Sequence, residues 1–446
     1  KLGINSLFTS VDLDYNDFIY LTLSGRKDWF STLDPEKNNL FYPSVGLSFL
    51  ASEAWKSKPD WMSYAKVRTS WAQVGGGAPN PYAIRATYSA QSNPHLGQSL
   101  MTVTSGTIPS LLNPYTSTTL EAGLEMRIFN NRVGFDLTLY DRTTTDDILN
   151  AAIPPSSGYG NVALNIGEMK NRGIELMINS TPVQTENGFS WDMSFNMAYN
   201  KNKVIKIADD LTSLQLPGAT TRTLNGWIYH FEGQPFGMIA GFKQLKDSNG
   251  NLVFNSTSGL PVAGPLEPLG RGVPPLSIGF NNNIRFKGFN VSFLLDSRWG
   301  GSIYSATNAY GTDFGVHKRT VENNVRENGI TLSGVDAAGE PFSKTISAEK
   351  YYRGTAYTIT DFFVEDADFI KLRSLALGYD LPSSILRGTP FQSANISIVG
   401  RNLLLLYNAA ENIDPESNYN NSNAQGLENF GLPTTRSFGF NLSVLF

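Results

Sequence analysis

The sequence predicts an all-β chain folded as a transmembrane, antiparallel, up-and-down β-barrel. Three observations carry this: apolar and polar residues alternate with a period of two from end to end, connections between the alternating segments are by turns short and long, and helix-period patterns are scarce. The clearest segment is residues 118–129, where Leu120, Ala122, Leu124, Met126 and Ile128 alternate with Glu121, Gly123, Glu125 and Arg127. Asn130 and Asn131 follow, a pair suited to the positive dihedrals of a two-residue hairpin turn. Val133, Phe135, Leu137 and Leu139 then resume the alternation, and the turn sets Ile128 opposite Val133 and Met126 opposite Phe135.

Lys287 and Gly288 join a second such pair, Ile278, Phe280, Ile284 and Phe286 with Phe289, Val291, Phe293 and Leu295. The turn at residues 186–188 joins Ile174, Leu176 and Ile178 to Trp191, Met193 and Phe195. Weaker strands fall at 19–23, 41–49, 65–71 and 394–398, and in 369–379 the phase slips between Leu372 and Leu375, which reads as a bulge. The last stretch, SFGFNLSVLF, places Phe438, Phe440, Leu442, Val444 and Phe446 on one face and Ser437, Gly439, Asn441 and Ser443 on the other. In all there are about thirteen strands of about ten residues, the length that crosses a bilayer at a tilt.

Short turns fall at 15–17, 130–131, 186–188 and 287–288, with slightly longer ones at 51–60 and 382–389; long segments fall at 75–117, 145–167, 202–274, 300–366 and 404–434. A meander reverses direction at every connection, so short turns share one side and long loops the other, the arrangement of outer-membrane barrels. A soluble glycan-binding or hydrolytic β-sandwich has no reason to sort its loops in this way. An odd strand count, and a beginning without a charged leader and apolar stretch, lead to the expectation that residues 1–446 are part of one barrel domain whose missing strands precede Lys1. The last strand is then expected to close the barrel against a first strand that lies outside this sequence.

With 446 residues and a net charge of -4, the chain has scattered basic residues that do not point to nucleic acid. It has no cysteine, which excludes disulfides and thiolate metal sites, and its best apolar run, 403–407, is far short of a membrane helix. No nucleophile elbow, phosphate-cradling loop or HExxH helix is present, so no enzymatic activity and no cofactor are expected.

His95, His230 and His317 lie far apart in predicted loops and read as solvated rather than as a metal or proton-shuttle site. Asp414 and Glu416, with Glu411 near, offer a calcium or paired-carboxylate option, against the ordinary reading of a solvated acidic loop. The strands place Lys66, Arg68, Glu121, Glu125, Arg127, Asp136, Glu175, Asp192, Arg285, Asp296 and Arg298 toward the lumen or plug. Glu125 lies beside Asp136, a like-charge pair that water screening, or a cation from a plug, has to relieve. Loop aromatics Trp227, Tyr229, Trp299, Tyr304, Tyr310, Tyr351 and Tyr352 have flat faces that suit sugars, peptide side chains or a partner, against the plainer role of girdle or loop-packing anchors.

Ordered segments, among them FYPSVGLSFLASEAW (41–55), AKVRTSWAQVG (65–75), NIGEMKNRGIELMIN (165–179), GQPFGMIAGF (233–242), FVEDADFIKLRSLALGYDLP (363–382) and RNLLLLYNAAENIDPE (401–416), resemble successive parts of the SusC-like, or RagA-like, TonB-dependent outer-membrane transporters. The resemblance implies a barrel of roughly 22 strands, of which residues 1–446 would be the C-terminal part, and a plug domain and TonB-contacting segment that lie outside this chain. It also implies a SusD-like surface lipoprotein that lids the barrel, a dimer of such pairs, coupling to TonB-ExbB-ExbD, and import of oligosaccharides or peptides across the outer membrane. Phe438, Phe440 and Phe446, facing outer-membrane lipid, then resemble the signal read by the barrel-assembly machinery. A structural or assembly role within a larger envelope complex is the rival expectation.

Overall fold

The computed structural model describes residues 2–77, 81, 84–85, 87–103, 107–108, 111–152, 155–157, 159, 161–208, 211–418 and 423–446. Parts of the expected long segments 75–117, 145–167, 202–274 and 404–434 lie outside the described residues. The chain divides into two units, Lys1–Gln184 with Trp191–Pro217 and Glu232–Gln234, and Thr185–Ser190 with Gly218–Phe231 and Pro235–Phe446.

The first unit carries eight long strands: β1 Ile4–Tyr15, β2 Ile19–Phe30, β3 Asn39–Leu50, β4 Met62–Gly76, β5 Tyr115–Ile128, β6 Val133–Ala152, β7 Asn161–Gln184 and β8 Ser190–Lys206. The second carries five: β9 Leu276–Phe286, β10 Phe289–Trp299, β11 Phe369–Asp380, β12 Ser393–Asn408 and β13 Ser437–Leu445. The count of thirteen and the antiparallel meander agree with the sequence. Among the described residues β1 is bonded in the sheet to β2 and β13 to β12, and the strand expected to close against β13 is not part of residues 1–446.

Cross-strand register shows what the alternation is for. Tyr15, Ile19, Phe49, Val67, Leu124, Leu137 and Leu176 stand opposite one another in turn from β1 to β7. In the second unit Ile284, Val291, Leu377, Ile398 and Phe440 form the same kind of row across β9 to β13. These rows are apolar bands on one face of each wall, and Phe438 and Phe440 remain 76% and 68% exposed there. Phe446 touches the Phe391 ring at 5.2 Å.

The hairpin turns behave as the sequence predicts: Asn130 and Asn131 take positive φ, and Ile128 faces Val133 with Met126 facing Phe135. The bulge in β11 is also present. Leu372 pairs with Leu295 and Ser374 with Leu294, which leaves Arg373 as the extra residue.

Two expectations about connections change. Segment 145–167 is largely strand, because β6 and β7 run on past the apolar band and exchange lipid for protein: Ile148 packs on Phe30, Leu33, Tyr42 and Leu112, and Leu164 on Val204, Ile207 and Leu214. On the long-loop side the β2–β3 connection, residues 31–38, is short.

Segments 202–274 and 300–366 contain folded structure of their own. In the second unit the strands Gly226–Phe231, Met238–Gln244 and Ala263–Arg271 pair in succession, Ile330–Val335 pairs with Pro341–Ile346, and two helices follow Ser caps, α1 Ala306–Asp313 and α2 Ala348–Ala356. Ile228, Ile239, Ile303, Tyr304, Ile359, Phe363 and Leu427 are fully buried there. The long segments thus hold a core that owes nothing to the bilayer.

Candidate functional site

On the polar face of the first unit, Lys66, Glu125 and Asp136 stand opposite one another in register on β4, β5 and β6. The like-charge pair of Glu125 and Asp136 is present, and each carboxylate has an arginine of the wall beside it. Arg68 reaches from β4 across β5 to Asp136 on β6, with Nη1 and Nη2 donating to its two carboxylate oxygens at 3.1 and 2.6 Å and Nη2 also to Thr138 Oγ1 at 2.6 Å. Gly123 makes the crossing possible, because a Cβ there would lie 2.6 Å from Arg68 Nε. Arg127 Nη2 donates to Glu125 at 3.2 Å. Thr181 Oγ1 donates to Asp192 at 2.7 Å, Glu121 lies beside Tyr140, and Glu175 stands opposite Thr138.

The second unit gathers charges more tightly. Lys371 Nζ donates to Asp414 Oδ1 at 2.6 Å and to Glu416 Oε2 at 2.7 Å. The bulge residue Arg373 forks onto Glu416 at 2.8 and 3.0 Å and donates through Nε to Asp296 at 3.0 Å. Arg298 lies 3.6 Å from Glu416. Three cations therefore meet three carboxylates, and the 404–434 segment is clamped to β10 and β11.

Burial alone would raise the Asp414 pKa, but hydrogen bonds from Lys371, Thr434 and the Glu416 backbone, with the Lys371 charge, hold it down at about 2. The same contest, won by Arg373 and Lys371, lowers Glu416. The carboxylates read as a calcium option are thus engaged by protein cations, not by solvent.

Sequence reading found Asp296, Arg298, Asp414 and Glu416 separately; it missed Lys371 and Arg373. The signal was the phase slip itself, which turns an intervening side chain. Arg285 lies exposed on the polar face opposite Asn290, apart from this cluster.

The aromatic candidates divide. Tyr304 is fully buried and shares a hydrogen bond with Thr223 Oγ1 at 2.6 Å, so it is a core anchor and not an exposed ligand contact. Tyr351 packs on the cluster of Phe254, Leu332 and Ile346, and Tyr352 Oη donates to Arg319 O at 2.6 Å. Trp227 meets Phe242 edge-on and Tyr229 stacks on Phe231. Trp299 ends β10 stacked on Tyr407, in keeping with an interfacial girdle. Tyr310 contacts Phe314, Tyr357 and Phe430, of which Phe314 is 70% exposed.

The histidines are corrected as well. His95 is exposed, but His230 is buried against Phe236 and His317 is buried with Nε2 3.0 Å from Asn412 Nδ2. Burial lowers the His230 pKa to about 4. Long-range packing of the 202–274 and 300–366 segments buries them, which no local pattern announces.

Between the C-terminal end of α1 and the start of α2 lies a cleft of about 620 Å³, lined by Asp313, Phe314, Arg326, Glu349, Tyr352 and Arg353 among others. Arg353 lies 3.6 Å from Asp313 and 3.4 Å from Glu349. The cleft carries both charges and a ring on its walls.

Meandering strands with one apolar and one polar face, joined by short turns on one side and long folded segments on the other, define the wall of an outer-membrane β-barrel. The chain belongs to the family of TonB dependent receptor-like β-barrels, which matches residues 2–264, and it is an outer-membrane protein. It is 26% identical over 470 residues to TonB-dependent receptor P3 of Formosa agariphila, covering 99% of this chain and 45% of that protein. Over 274 residues it is 25% identical to TonB-dependent receptor SusC of Bacteroides thetaiotaomicron, covering 59% of this chain and 26% of that protein. The RagAB peptide transporter structure matches with a TM-score of 0.77 at 18% identity, over 99% of this chain and 47% of that one. The chain spans about half the length of the curated relatives that it matches along its whole length.

Proposed function

We propose that this chain supplies wall and external loops to a TonB-dependent importer of oligomeric nutrients, oligosaccharides or peptides, working with a SusD-like surface lipoprotein. Resemblance to TonB-dependent receptors along the whole chain carries this reading. The folded long segments give it a physical basis: they hold a cleft and exposed Phe314 on a core that is independent of lipid, as a capture surface requires. Between the two cargo classes, the mixed charges of Asp313, Arg326, Glu349 and Arg353 favour peptides, whose termini and side chains are charged, over neutral sugars. The plug and TonB contact belong to the remainder of such a transporter, and cargo passes along the polar face when the plug is drawn aside.

The test is uptake by cells carrying the whole transporter, with labelled peptide and oligosaccharide mixtures supplied separately. TonB-dependent uptake of one class, lost on deleting the transporter, is the expected result. Normal uptake in the deletion strain, with disturbed surface display of other envelope proteins, would favour the structural role instead.

A further inference from the structure

We propose that the apolar face of the first unit carries a binding site for one phosphate-bearing lipid of the outer leaflet. Successive rows on that face are Leu124–Leu137–Leu176, Ala122–Leu139–Ile174, Leu120–Asp141–Arg172 and Thr118–Thr143–Lys170. The apolar band therefore ends within a single row, and the end lies away from the Asn130 and Asn131 turn. Since short turns lie on the periplasmic side, this border faces the outer leaflet.

A dent of about 510 Å³ opens at the border, with the small side chain of Ala122 among Leu120, Leu139, Ile174 and Tyr199. Its volume lies in the range of ligand-sized pockets, and its walls suit an acyl chain.

The rim supplies the other half of the ligand. Asp141 lies 2.7 Å from Arg172 and 3.3 Å from Lys170, so one carboxylate serves two cations. Lys201 lines the same dent and makes no ion pair among the described residues. Glu168 stands a further row away, opposite Thr145. On this face the rim thus holds three cations, Lys170, Arg172 and Lys201, and one carboxylate, Asp141, while Glu121, which also borders the dent, alternates toward the polar face; this is a surplus of positive charge beside hydrocarbon, where solvation is poor and an anion is strongly favoured.

Free phosphate would satisfy the cations and leave the dent unfilled, whereas an uncharged chain would do the reverse. A lipid whose phosphate groups carry net negative charge and are joined to several acyl chains satisfies both, which zwitterionic phosphatidylethanolamine does not, and lipid A of the outer leaflet has this chemistry.

The whole transporter, purified in mild detergent, is titrated with lipid A, dephosphorylated lipid A, phosphatidylethanolamine and inorganic phosphate, and bound lipid is counted by native mass spectrometry. Lys201→Glu removes the unpaired cation and Ala122→Trp fills the dent, with unboiled gel mobility reporting the fold. Lipid A is expected to bind, with affinity falling about tenfold in each variant and on dephosphorylation. If Lys201→Glu does not fold, Ala122→Trp and the dephosphorylated lipid carry the test. Equal binding by wild type and both folded variants overturns the proposal. So does equal binding of phosphatidylethanolamine, displacement of lipid A by inorganic phosphate alone, or a change only in self-association.

Discussion

The two charged networks sit on strands of the same kind but in different surroundings. Arg68 and Asp136 keep side-chain exposures of 32% and 28%, whereas Lys371 and Asp414 keep 5% and 9%. A half-open pair gains little, since water competes for each partner. A closed cluster gains little over an apolar replacement either, but it is costly to break, because the survivor is left buried and unpaired. The first network therefore tunes a surface, and the second fastens a loop.

Lys371→Met should expose that difference most strongly. It leaves Asp414 without its cation and Glu416 with one fewer, a loss of about 3–5 kcal/mol. Proteolysis should then cut within 409–436 while the strands stay resistant, and adding Asp414→Asn should restore part of the protection. Unchanged protection in the single variant would remove the distinction between the clusters.

Acid offers the next largest effect, up to about 3 kcal/mol. His230 has an ordinary pKa of 6.5 and a folded value of about 4, so its stabilisation is present above 6.5 and lost as pH falls toward 4. Asp414 adds a lower window, from 3.8 down to about 2. Hydrogen exchange of Gly226–Phe231 should rise through the upper window in wild type, and much less in His230→Phe.

Tyr304→Phe strips one hydroxyl, while Thr223 keeps Thr221 and Asn225 as partners, so the cost is that of one hydrogen bond, about 0.5–1.5 kcal/mol, read as a lower midpoint for protease opening of the same region. The smallest effect is expected from Arg68→Ala, less than about 1 kcal/mol by the temperature at which the unboiled barrel loses its gel mobility. A large drop there would mean that the polar face depends on Arg68 far more than its exposure suggests.

What sequence could see follows from the range of the forces involved. Alternation, turn pairs and even the β11 bulge are local, and the rows from Ile19 to Leu176 and from Ile284 to Phe440 are legible as faces from the sequence. The clamp was legible only in pieces, because Asp296, Lys371 and Asp414 meet through folding of a long segment. His230 and His317 were read as solvated for the same reason: the 202–274 and 300–366 segments lack a simple period, so their buried residues look like loop decoration, and Tyr304 takes the loop-packing alternative.

The extra residue at Arg373 has a wider consequence. Before it, even-numbered residues such as Leu372 face the apolar side; after it, odd-numbered ones such as Leu375 and Leu377 do. Deleting one residue there would turn 374–380 inside out, and the neighbours cannot adjust separately, because β12 carries a matching irregularity opposite Leu372 and Ser374. Insertions and deletions among descendants of this chain should accumulate in its long segments and avoid this point, where the spelling of three strands has to change together.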